Sequence, residues 1–99
     1  MNEKLSSQER IFAETEILCE NHMAGISNKE LARLVGTSEQ NICRDLALFE
    51  QSGWAERNAS GRWRLSPKFG GIAGQIAKSY QKARLSLSED EARYASAMQ

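Results

Sequence analysis

Polar residues punctuate this chain at helix-cap positions, and the apolar residues between them change period once. Ser6 followed three positions later by Glu9 has the form of a capping box, in which a hydroxyl and a carboxylate satisfy free backbone N–H groups. Ile11, Phe12, Leu18 and Cys19 follow at helical spacing, which predicts an amphipathic helix over about residues 7–22, with Gly25 after its end. Ser27 with Glu30 repeats the box and opens a short helix through Leu31, Ala32, Leu34 and Val35. Gly36 stops it, as glycine does where a left-handed residue is needed. Thr37 with Gln40 forms a third box, and a helix with Ile42, Cys43, Leu46 and Phe49 inward runs to about Gln51, closed by Gly53.

After Gly53 the spacing shifts from helical to alternating. Trp54 to Arg57 and Arg62 to Leu65 flank the turn formers Asn58-Ala59-Ser60-Gly61, which predicts a two-stranded hairpin. Trp63 and Leu65 alternate with Arg62 and Arg64, so one face is apolar and the other basic. Ser66-Pro67 resembles an N-cap with a first-turn proline. Phe69, Ile72, Ile76 and Tyr80 then mark a helix to about Ala83, and Ser88 with Glu91 offers the cap of a short terminal helix.

Composition changes this picture little. In 99 residues, 40% hydrophobic and 26% charged, there is room for one ordinary domain and not for a large parallel sheet or barrel. No apolar run approaches the roughly 20 residues of a membrane span, and the first ten residues lack the apolar core of a signal peptide. A cytoplasmic location is the expectation. Cys19 and Cys43 form neither a disulfide framework nor a CxxC pair and are expected as small buried hydrophobes. His22 alone is too little for a metal site, so no metal or cofactor is expected. Without a Ser-His-Asp set there is no sign of an enzyme, and no catalytic residue is assigned.

Charge adds more. Thirteen basic residues balance thirteen acidic ones, yet all seven charges from Arg57 to Arg84 are basic. A single-sign segment beside acidic ones suits a polyanion contact that the neutral total conceals. The order helix, short helix, glycine turn, helix, hairpin, helix predicts a mainly α fold with a small β-hairpin. It is that of a winged helix-turn-helix over residues 1–84 with a tail over 85–99. In that arrangement the helix after the glycine turn presents its N-terminal end to the major groove. Its outward positions are Ser38, Glu39, Gln40, Asn41 and Arg44. Gln and Asn pair with adenine and Arg with guanine, while Glu39 either accepts from cytosine or is repelled by phosphate. Arg57, Arg62 and Arg64 flank the hairpin tip, where they reach phosphates or the minor groove. Asn58 and Ser60 add neutral contacts, and Lys68 opens the next helix. Trp54 and Trp63 are expected in the hairpin's core rather than as base-stacking platforms.

The stretch Gly25–Phe69, GISNKELARLVGTSEQNICRDLALFEQSGWAERNASGRWRLSPKF, resembles the N-terminal DNA-binding domain of IclR-type transcriptional regulators. The matching pieces are S-x-x-E-L-A-x-L-V-G, R-D-L-x-x-F-E-x-x-G-W and R-x-x-x-G-R-W-R-L-S-P. The resemblance implies that residues 38–44 read bases and residues 57–64 form the wing. Regulators of that type carry a second domain for a small-molecule effector, for which this chain has no length. Asp45 stands where an apolar residue is commoner in that family. A free-standing domain of this size suits a small repressor or activator, as of a phage or mobile element. The expected partners are double-stranded DNA and a second copy of the chain, with helix one, helix four or the tail as the dimer surface. The competing reading is a winged-helix module that docks on another protein without specific DNA binding.

Overall fold

A computed structural model describes residues 4–99 and shows a mainly helical chain with one small antiparallel hairpin. The elements are α1 (Ser7–Glu20), α2 (Asn28–Val35), α3 (Glu39–Gln51), β1 (Ala55–Arg57), β2 (Trp63–Leu65) and α4 (Pro67–Ala97). The chain divides into two compact units, one ending at Phe69 and one running from Gly70 to Gln99. No helix among the described residues is long and apolar enough to cross a membrane.

The core of the first unit is built from single stripes of each element. Leu18 of α1, Leu31 and Ala32 of α2, and Ile42, Leu46 and Phe49 of α3 close on Ala55, Trp63 and Leu65 of the hairpin. In α1 the inward stripe is Ile11, Glu14 and Leu18, spaced three and four apart, which leaves Phe12 and Cys19 exposed against expectation. The same geometry selects Ile42, Asp45, Leu46 and Phe49 in α3, so Cys43 lies one position off the stripe and is exposed. Both cysteines are therefore surface thiols, not core residues.

The caps show how closely the local signals were followed. Ser6 and Glu9 form the full reciprocal box. Ser27 accepts from the Glu30 amide at 3.1 Å, but the Glu30 carboxylate turns to Arg62 and completes no box. The third cap is displaced by one residue. Both Gly36 (φ 81°) and Thr37 donate their amides to the Ala32 carbonyl, so they end α2, and Ser38 caps α3 by accepting from the Asn41 amide at 3.1 Å.

The hairpin pairs Ala55 with Leu65, Glu56 with Arg64 and Arg57 with Trp63. Ile26, just before α2, adds a two-bond bridge to Trp63 with N···O distances of 2.9 Å in both directions. That bridge requires close backbone approach at Gly25 (φ 77°), where an added Cβ would lie 2.7 Å from the Arg62 Cβ. The Trp63 indole is buried and donates to the Asn28 side chain at 2.9 Å, while Trp54 meets Phe69 edge-on at 5.0 Å. Ser66 caps α4, accepting from the Phe69 amide. Beyond Gly74 the sequence holds no proline or glycine and is rich in helix formers, so α4 passes through Arg84 and Ser88 unbroken. The expected tail with its own short helix is instead the continuation of α4.

Candidate nucleic-acid interface

Two helices joined by Gly36-Thr37-Ser38 set the candidate surface. The left-handed Gly36 ends α2 abruptly, and the opposite face of α3 is locked into the core by Ile42, Leu46 and Phe49. Glu39, Gln40 and Arg44 therefore stand exposed on the first turns of α3, with no side-chain hydrogen bond among the described residues. Ser38 is spent on the helix cap. The half-buried Asn41 donates from its side-chain amide to the Thr37 hydroxyl at 2.9 Å, which fixes that side chain against the turn. Lys29 and Arg33, one turn apart on α2, are also exposed and were not picked out from the sequence. Their signal was the i, i+4 spacing of two cations on the polar side of a short amphipathic helix.

The hairpin residues divide into those that build it and those left over. The Asn58 side chain accepts from the Ser60 and Arg62 amides at 2.9 and 3.0 Å and donates to the Ala24 carbonyl at 3.0 Å. Its amide therefore holds the tip in shape. Arg62 forms a two-pronged pair with Glu30, both oxygens at 3.0 Å, and also donates to the Gly25 carbonyl. Arg64 pairs with Glu56, directly across the strands, at 2.8 Å. Each guanidinium is thus matched by a carboxylate and adds little net charge to the surface. Lys68 donates to the Ser52 carbonyl at the end of α3, 3.0 Å away, keeping its charge at a helix C-terminus that favours it. Arg57 stacks over the Trp63 ring, 4.8 Å from its centroid, and forms no ion pair among the described residues. The segment from Arg57 to Arg84, uniformly basic in sequence, is therefore much less basic around the hairpin than its count of charges suggests.

Behind α3 lies a charged cluster that fixes its position. Arg10 donates two bonds to Asp45, at 2.8 and 3.1 Å, and both side chains are nearly buried. Burial works to raise the Asp45 carboxyl, and the Arg10 guanidinium overrides it, holding the group below the usual carboxylate value. Glu14 lies next to the pair, fully buried, and neither carboxyl oxygen has a hydrogen-bond partner among the described residues. Burial pushes its carboxyl up to about 9, the neighbouring Asp45 adds to the rise, and Arg10 opposes it. The acidic charge of Asp45 is consumed inside the protein and is not part of any surface α3 presents.

No protein-family model, curated protein or solved structure matches this chain.

Proposed function

We propose that this chain is a sequence-specific transcriptional regulator that binds double-stranded DNA as a homodimer. It is a winged helix-turn-helix of the kind its sequence resembles, acting in the cytoplasm without cofactor or catalysis. The observation that carries this reading is the exposure of Glu39, Gln40 and Arg44 on consecutive turns just past the Gly36 turn, on a helix whose other side is core. A rigid helix with a free polar N-terminal face fits the major groove, where Gln40 pairs with adenine and Arg44 with guanine. Lys29, Arg33 and Arg57 supply phosphate contacts from α2 and the hairpin tip. Arg62, Arg64 and Asn58 act one step back, holding the wing in register.

Selection of bound sequences from a random duplex pool at two salt concentrations tests it. An enriched motif with steep salt dependence is the expected result. At the selected site Arg44→Ala is expected to cost about 1–3 kcal/mol while leaving random DNA binding unchanged. Equal losses on both would remove Arg44 as a base reader.

A second reading has one observation in its favour. An apolar groove of about 270 Å³, lined by Ile11, Leu48, Phe49, Ser52 and Trp54, opens beside the half-exposed Leu48. Such a groove suits a protein partner, and absence of DNA binding even at low salt would make a protein-docking module the better account.

A further inference from the structure

The second unit presents a problem of its own. From Gly70 to Ala97 the helix carries no buried side chain, and its first turns hold Gly70, Gly71 and Gly74. A helix with neither packing nor strong propensity at its start is marginal in water. Positions 73, 76, 80, 83, 87, 90, 94 and 97 alternate spacings of three and four, the repeat of a coiled-coil seam. Alanine, isoleucine, tyrosine or leucine fills every one of them except Asp90. Ile76 is 68% exposed, Tyr80 65%, Leu87 62% and Tyr94 71%.

We infer that residues 70–98 pair in antiparallel fashion with the same segment of a second copy of this chain, through the seam of Ile76, Tyr80, Ala83, Leu87 and Tyr94. The inference rests on the homodimer in the proposed function and names its surface. Three observations choose the occupant and its direction. The first is charge. Residues 70–84 carry Lys78, Lys82 and Arg84 and no acid, whereas residues 85–99 carry Glu89, Asp90 and Glu91 against one Arg93. Lys78 and Lys82 fall two residues past Ile76 and Tyr80, off the seam, so the charge that decides direction is Asp90 within it. Parallel pairing would set Asp90 against the partner's Asp90. Antiparallel pairing sets the basic half against the acidic half and opposes the two helix dipoles.

The second observation is register. Full overlap of the two seams, residues 73–97, centres on Leu85 and places Ala73 across from the partner's Ala97, Ile76 from the partner's Tyr94, and Ala83 from the partner's Leu87. Asp90, the only charged seam residue, then meets the partner's Tyr80, whose hydroxyl is a donor for its carboxylate. Arg84 approaches the partner's Arg84 near the two-fold axis, the one like-charge approach, at a rim where water screens it. The third observation is area. A seam about 40 Å long with two tyrosines buries on the order of 700 Å² per chain, close to the ~800 Å² of a standard interface.

The full chain tests this by light scattering after size exclusion, at tens of micromolar. Twice the 11.1 kDa chain mass is expected. Leu87→Asp is expected to raise the dissociation constant about 100-fold, since the seam contains that residue twice. Leu87 is exposed in the single chain, so Trp54 and Trp63 fluorescence is expected to stay native in the variant. Direction is read by disulfide formation with Cys19 and Cys43 replaced by serine. Mixed Ala73→Cys and Ala97→Cys chains are expected to join to each other. A monomer, a dimer indifferent to Leu87→Asp, or dominant linkage between two Ala73→Cys chains would each overturn the inference. DNA binding by a monomer would sink this inference and leave DNA recognition standing. An antiparallel dimer that binds no DNA would do the reverse.

Discussion

The buried Glu14 carboxyl makes stability depend on pH in an unusual direction. The folded chain holds this group up to about 9, against an ordinary value of 4.5. Between those limits the folded state binds a proton that the unfolded state has released. A raised folded value means that the stabilising contribution is complete below the unfolded value and is lost as pH rises toward the folded one. The full slope for one such proton is about 1.4 kcal/mol per pH unit. Arg10 stays charged and Asp45 ionised across this range, so close to that full slope is expected, about 3 kcal/mol in total between roughly pH 5.5 and 8. That is a large part of the roughly 5–15 kcal/mol that holds a domain of this kind. Asp45 has the opposite sign. Its depressed carboxyl contributes stability above its ordinary 3.8, and this is lost as pH falls through the lower folded value. Urea unfolding followed by Trp54 and Trp63 fluorescence at several pH values measures the alkaline limb. Glu14→Gln keeps the shape of the neutral acid and removes its titration, so its stability is expected to be flat where the parent's declines. The two unpartnered oxygens become one oxygen and one NH₂, and any cost of that exchange is independent of pH. Parallel declines in parent and variant would refute this account of Glu14.

Two further predictions follow from the turn and the hairpin. Gly36 has φ 81° with open space around it, so Gly36→Ala is expected to cost only the backbone strain of about 1–2 kcal/mol. Gly25→Ala adds steric overlap with Arg62 and Asn58 and is expected to be the more damaging in the same urea titration; equal costs would contradict the close packing there. On the proposed function, Arg57→Ala is expected to lower the slope of log affinity against log salt by about one. Arg62→Ala frees Glu30 and strands the Gly25 carbonyl, so it is expected to lower urea stability more than Arg57→Ala while changing the slope less; the reverse order would assign Arg62 to the phosphates.

Much of the helical order was legible because it is written in local chemistry. Ser6, Ser27 and Ser66 cap helices where hydroxyls precede periodic apolar runs, and Gly36 and Gly61 take up left-handed turns. The alternation of Trp63 and Leu65 with arginines marked a strand with one buried face. Exposure of Gln40 and Arg44 followed from the same helical period that buried Ile42 and Leu46. These inferences need only neighbours three or four positions away.

What only the tertiary structure decided was which charges cancel and which apolar residues are left without a neighbour. Arg62 and Glu30 lie far apart in sequence, as do Arg10 and Asp45, and no periodicity announces such pairs. The basic run around the hairpin is therefore mostly neutralised by acids from other elements. Asp45 sits on the buried stripe of α3 as an ion-pair partner, because Arg10 of α1 crosses its position. The thiols of Cys19 and Cys43 face out because the stripe that closes the core passes one position to the side. Ser88 and Glu91 have the spacing of a cap, but such a pattern caps only where a helix has already ended, and α4 runs through both. Local sequence fixes where backbone groups find partners, since those lie within a turn. Charge pairing and burial are set by residues that meet only after the chain has folded.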